Sequence, residues 1–141
     1  MLLFNSAGSG GRCGGTLITT RWILTAAHCF PSDVSYTTSK VRYGCLAPDI
    51  TNSALPSGCS ESSFTHHWIH PSYSGSDTLL NDVGLLRMSV AAVKSSTVNT
   101  ICMATKSIAF GVVATVSGWG AVDNAGTQSS NLKEVLSCND Q

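Results

Sequence analysis

Charge is scarce in this chain of 141 residues: eight basic side chains stand against eight acidic ones, only 11% of positions are charged, and no Lys/Arg cluster forms. Without a basic patch the chain has no electrostatic footprint for nucleic acid or an anionic membrane, so neither is expected as a partner. The same scarcity excludes a coiled coil, an acidic tail and a disordered polyelectrolyte. Long apolar runs are missing as well. The longest, Ile108 to Val116, is interrupted by Thr115 and falls well short of the ~20 residues a membrane helix needs. Met1-Leu2-Leu3-Phe4 is ended by Asn5 and follows no positive region, so it is not expected to act as a secretory signal. No close Cys-x-x-Cys pair occurs, which sets aside the common zinc and redox motifs; neither a cofactor nor a metal is expected. Ser, Thr and Gly fill 48 positions, and types that weaken helices at that density argue against a helical bundle.

Six cysteines are present, a usage that fits disulfides in an oxidising compartment and hence a secreted protein. Cys13 with Cys29, and Cys45 with Cys59, would each close a loop of about 15 residues, worth roughly 3 kcal/mol in the chain-entropy picture. Cys102 and Cys138 have no obvious partners. The length suits one domain and little more. Short β-prone runs recur at Gly15 to Thr20, Trp22 to Thr25, Val41 to Tyr43, Phe64 to Ile69, Val83 to Met88, Val112 to Ser117 and Leu132 to Leu136. Turn-rich spacers separate them, among them Pro31-Ser32-Asp33, Pro48-Asp49, Pro56-Ser57-Gly58, Pro71 to Gly75 and Asn124-Ala125-Gly126. This is the texture of an all-β barrel or sandwich. There is no internal repeat, and the poorly periodic stretch Ser89 to Ser107 reads as a linker to a second unit that begins near Ile108.

Two segments carry chemistry. In Trp22-Ile23-Leu24-Thr25-Ala26-Ala27-His28-Cys29 an apolar strand runs into two small residues and a histidine. The small residues allow a tight turn, which would set an imidazole suited to proton transfer near neutral pH on a rigid platform. In Asn81-Asp82-Val83-Gly84-Leu85-Leu86 a carboxylate heads an apolar strand and must find a donor. Taken singly, His28 could be a satisfied core histidine and Asp82 a turn or capping residue, the commoner fate of Asn-Asp pairs. His66, His67 and His70 offer three imidazoles within five residues. On a strand, however, His66 and His67 point to opposite faces, and no thiol or carboxylate at ligand spacing completes a site.

The segments Cys13-Gly14-Gly15-Thr16-Leu17-Ile18, Leu24 to Cys29, Asn81 to Leu86 and Ser117-Gly118-Trp119-Gly120 occur in that order. Together they strongly resemble the chymotrypsin-like (trypsin-type) serine endopeptidases, and the resemblance covers roughly Arg12 to Leu136. It implies that His28 is the general base, that Asp82 is the carboxylate orienting it, and that Cys13 and Cys29 form the bridge bracketing the histidine; the roles are borrowed from that family's well-described triad. It also implies a fold of two antiparallel β-barrels with the active site between them. The first barrel is expected over residues 1–93 and a linker over 94–107, followed over 108–141 by the incomplete start of the second barrel. The implied activity is hydrolysis of peptide bonds through an acyl-enzyme, with protein or peptide substrates and protein protease inhibitors as partners.

The sequence departs from the family pattern where the nucleophile is concerned. No Ser here lies in a Gly-Asp-Ser-Gly-Gly segment, and the backbone of that segment also supplies the oxyanion hole. The chain is therefore expected to be the front part of such an enzyme and inactive alone. The alternative is a non-catalytic homologue that binds proteins. Ala114 stands where many relatives have a cysteine, so one familiar bridge is absent. Cys102 resembles a position tied to the propeptide in many secreted relatives, or else is a buried free thiol. An incomplete second barrel is expected to leave an apolar face half exposed around Val112, Val113, Val116, Trp119 and Leu136.

Overall fold

The computed structural model describes residues 2–7, 12–30, 35–47, 54–75, 78–107, 109 and 111–138. Eight strands follow one another: β1 Leu2–Ala7, β2 Arg12–Leu17, β3 Trp22–Thr25, β4 Ser35–Tyr43, β5 Ser60–Ile69, β6 Gly84–Met88, β7 Val113–Gly118 and β8 Lys133–Cys138. A single 3-10 turn, Ala27–Cys29, follows β3, and no α-helix occurs among the described residues. Among the described residues no helix is long and apolar enough to cross a membrane.

The first six strands close on themselves in the order β1-β2-β3-β6-β5-β4, every neighbouring pair being antiparallel. Closure leaves the barrel with no free edge strand. Its interior is filled by Ile23, Val41, Phe64, Leu86 and Met88, all essentially buried, with Leu17, Phe30, Ala92 and Val98 around them. In β6 the alternation that a half-buried strand requires is plain: Gly84, Leu86 and Met88 are buried, while Leu85 and Arg87 lie between them at intermediate exposure. After β6 the chain returns to the barrel, with Ala92 donating its N–H to the Thr20 carbonyl and Ile101 to that of Leu17.

Several expectations need correction. Strand β1 was not anticipated, β4 begins at Ser35 rather than Val41, and β5 begins at Ser60 rather than Phe64. The first halves of β4 and β5 are rich in Ser and Thr and lack a local hydrophobic signal, while β1 opens on the short apolar run Leu2-Leu3-Phe4 without alternation; all three are strands through the pairing of β1 with β4 and of β4 with β5. The run from Gly15 ends at Leu17, since Ile18 and Thr19 turn back by donating to the Trp22 carbonyl. The turns foreseen at Pro31 to Asp33 and Pro48-Asp49 lie outside the described residues.

The barrel also buries polar groups. Arg42 is buried and donates from Nε to Glu61 Oε2 at 2.9 Å, its cross-strand neighbour, while Lys40 reaches the other carboxylate oxygen at 3.3 Å. Burial works to raise the Glu61 pKa, but the hydrogen bonds from Arg42 and Lys40 outweigh it and hold the carboxyl below its ordinary value.

A register shift between Phe64 and His66 marks a bulge in β5. His66 stacks with Trp68, and His67 stacks on Phe30 with ring centroids 4.6 Å apart and shares a 2.8 Å hydrogen bond with the Tyr36 hydroxyl. Burial pushes the His67 pKa below the usual 6.5. The folded state thus favours the neutral ring, and as the pH falls below that value the unfolded chain takes up the proton first. Stability from this site is full above the ordinary value and declines as the pH drops through the window beneath it. The midpoint of urea unfolding is expected to fall between about pH 7.5 and 5.5, with a shallower fall in His67→Gln; identical slopes would refute the assignment.

Strands β7 and β8 pair over six residues as a separate two-stranded sheet, where a complete second barrel would have more. The all-β architecture, with one finished barrel and one partial one, agrees with the sequence reading. Val112, Val113, Val116 and Leu136 are exposed as foreseen, but Trp119 is buried. Its indole Nε1 donates to the Leu46 carbonyl at 2.8 Å, and the Leu132 N–H donates to the same oxygen at 2.8 Å. Leu46 lies beside the Cys45–Cys59 disulfide, which joins the two ends of the β4–β5 connection with Cα atoms 4.8 Å apart. Cys102 is exposed and unpaired, not a buried thiol.

Candidate active site

At the end of β3 the chain leaves the barrel wall through Ala26, in an extended conformation, and enters the 3-10 turn Ala27–Cys29. A bulky residue at 27 would not fit, because Ala27 is fully buried. Cys29 is also buried, and its disulfide to Cys13 of β2, with Cα atoms 6.0 Å apart, fixes the turn to the neighbouring strand. Between these two anchors the side chain of His28 remains half exposed, at 48%. Thr25 adds a further tie by donating its hydroxyl to the Gly14 carbonyl at 2.8 Å.

Asp82 lies two residues before β6, whose residue Gly84 pairs with Thr25 of β3. That pairing places the carboxylate beside the histidine turn, although 54 residues separate them. One carboxylate oxygen, Oδ1, accepts the backbone N–H of His28 at 2.8 Å; the other, Oδ2, lies 2.6 Å from Nδ1 of the same residue. An ionised carboxylate can only accept, so Nδ1 carries the proton and the lone pair of the neutral ring sits on Nε2. Asp82 is 16% exposed. The hydrogen bond from the His28 ring holds its carboxyl below the ordinary 3.8; partial burial opposes this, and the backbone N–H groups of His28 and Ala27 add to it. The result is a fixed tautomer and a fixed ring plane on a half-exposed side chain.

Gly84 is required by close approach. A Cβ there would sit 2.7 Å from Cε2 of Phe30 and 3.3 Å from the Ala26 carbonyl oxygen. Phe30 is buried and stacked on His67, so it has little room to yield. Gly84→Ala is expected to cost about 1–3 kcal/mol, an overpacking penalty measured by denaturant unfolding. An unchanged unfolding midpoint would show that the contact is slack.

The ligand atoms of Cys13, His28 and Cys29 lie within 4.8 Å of one another, but both sulfurs are committed to the disulfide and neither is a thiolate ligand. The other three histidines turn to different partners: Nδ1 of His66 bonds the Thr65 hydroxyl, Nδ1 of His67 that of Tyr36, and Nδ1 of His70 accepts the Ser72 N–H. Sequence reasoning overlooked Asn81. Its backbone has φ of 57° and its side-chain amide donates to the Ser72 carbonyl at 2.9 Å. The only sequence signal was its type, since Asn tolerates left-handed backbone.

Compared with known proteins, the chain matches the family model described as Trypsin over residues 2–138. It is 33% identical over 126 residues to Trypsin I-P1 of Gallus gallus, a match covering 89% of this chain and 46% of that protein. With Trypsin alpha-4 of Lucilia cuprina the identity is 37% over 123 residues, covering 87% and 45%. With Trypsin-3 of Salmo salar it is 35% over 129 residues, covering 91% and 48%. The chain thus spans about half the length of the curated relatives it matches.

Proposed function

The chain belongs to the trypsin family, and on that footing we propose that it is the front half of a secreted serine endopeptidase in which His28 is the general base and Asp82 the carboxylate that orients it. The observation that carries the reading is the double contact of Asp82 with His28, at the backbone N–H and at Nδ1. In this reading residues 1–93 form the first barrel, 94–107 the linker and 108–141 the start of the second barrel. The nucleophilic serine comes from sequence beyond these 141 residues, since no Gly-Asp-Ser-Gly-Gly segment occurs in them.

His28 Nε2 takes the proton from the serine Oγ as it attacks the scissile carbonyl, then returns it to the departing amine. Water, deprotonated by the same nitrogen, releases the acyl group and restores the serine. Asp82 keeps the proton on Nδ1 throughout and stabilises the imidazolium at each transfer. Substrates are proteins or peptides, and protein protease inhibitors are the complementary partners. The two disulfides support an extracellular setting. A non-catalytic binding role has less support, because such homologues have no need of an intact His–Asp pair.

The test is turnover of a panel of fluorogenic peptides by the longer protein, by its His28→Ala variant and by the 141 residues alone. The longer protein is expected to cleave at least one peptide, and the other two to be inert. Undiminished turnover by His28→Ala would overturn the assignment.

A further inference from the structure

Among the described residues only two that are not glycine adopt a left-handed backbone, Leu79 at φ 52° and Asn81 at φ 57°. Both stand just ahead of Asp82. Such conformations cost free energy and persist only where their surroundings hold them. Asn81 is held by its side chain, whose Nδ2 donates to the Ser72 carbonyl at 2.9 Å. The other flank of Asp82 is tied to the same place, since the Val83 carbonyl accepts the His70 N–H at 2.9 Å. The turn 70–73 that receives both ties is itself braced: the Ser72 N–H donates to Nδ1 of His70 at 3.1 Å, and the Tyr73 N–H to the His70 carbonyl at 2.9 Å. Finally, the Val83 N–H donates to the Asn81 carbonyl at 2.7 Å, which closes a three-residue turn with Asp82 at its centre.

Asp82 is thus the apex of a tight turn whose two feet rest on one bracket after β5. A carboxylate that must meet a backbone N–H and a ring nitrogen of the same histidine together has little freedom in where its Cα lies. We propose that Asn81 is a positioning residue for Asp82: its left-handed backbone and its amide bond to the Ser72 carbonyl fix the apex so that both carboxylate oxygens reach His28 at once. The inference rests on the reading of His28 and Asp82 as base and orienting carboxylate.

Three variants separate the two contributions. Asn81→Gly keeps access to the left-handed backbone and loses the amide; Asn81→Ala loses both; Asn81→Asp keeps the shape but sets an acceptor against the Ser72 carbonyl. In the longer protein, Asn81→Ala is expected to lower kcat about 10–100-fold, with KM within about twofold, as a displaced orienting group would. Asn81→Gly should fall between it and the parent, and Asn81→Asp should resemble Asn81→Ala. Proton NMR supplies a readout independent of turnover. The downfield resonance of the His28 Nδ1 proton should move upfield or broaden in Asn81→Ala, in the longer protein or in the 141 residues alone. An unmoved proton with unchanged kcat would overturn the proposal, whatever happens to stability. Should Asn81→Ala fail to fold, the same comparison in Asn81→Gly decides it. If His28→Ala retained full turnover, the functional reading would fail, while the Nδ1 proton would still report whether Asn81 positions Asp82.

Discussion

Asp82→Asn in the longer protein is expected to lower kcat about 10⁴-fold, the magnitude established for loss of the orienting carboxylate in this kind of triad, with KM little changed. The geometry explains why so small a change should matter. The amide oxygen of Asn can still accept the His28 backbone N–H that Oδ1 accepts at 2.8 Å. The amide nitrogen then faces Nδ1, and two donors cannot share that contact. The ring answers by moving its proton to Nε2, which removes the lone pair that would take the serine proton. The fold should survive, because the chain trace and the backbone hydrogen bond are unaltered. A steady-state measurement showing less than about a tenfold loss in kcat would mean that Asp82 does not orient the base.

The largest effect on stability is expected from Phe64→Ala, at about 3–5 kcal/mol. Phe64 is 1% exposed and lies at the centre of the barrel interior with Ile23, Val41, Leu86 and Met88. Tyr36 meets its ring edge-on, with centroids 5.7 Å apart. Strands from opposite sides of a closed barrel cannot collapse into the space a phenyl ring leaves, so most of the cavity would remain. For a domain of ordinary stability, about 5–15 kcal/mol in total, such a loss takes much of the margin. Guanidinium unfolding followed by tryptophan fluorescence gives the difference directly. Phe64→Leu, which removes less volume, should fall between variant and parent; a loss below about 1 kcal/mol for Phe64→Ala would place the ring outside the core.

The parts of this fold that the sequence announces are those whose side chains answer to a local period. Trp22 to Thr25 reads as a strand and is one, and β6 is legible in the run Val83 to Met88, one residue longer than the strand, because Leu85, Leu86 and Met88 mark it. Strand β1, whose apolar residues Leu2-Leu3-Phe4 run without alternation, does not declare itself, and the first halves of β4 and β5 are invisible to such reasoning. Their inward positions include Ser39 and Ser62, both buried, and their pairing is settled by closure of the barrel over long range. Arg42 would be read as a surface residue from its type; the cross-strand carboxylate of Glu61 helps make its burial tolerable. At the site, neither His28 nor Asp82 is convincing alone, and the order of the motifs around them supplied the signal. Trp119 and Asn81 each depend on a backbone carbonyl far away in sequence or around a turn, at Leu46 and at Ser72. No pattern of side-chain types encodes a carbonyl.

The Cys45–Cys59 disulfide has a consequence for the chain once it is cut. Any peptide bond broken between these two residues separates β1–β4 from β5–β8 in sequence, yet a covalent link still spans the break. The ladder from Lys40 to Tyr43 against Ser60 to Ser63 begins immediately beyond the link, so the two pieces stay in register as a two-chain protein. On a denaturing gel the nicked molecule would run as one band without reductant and as two with it.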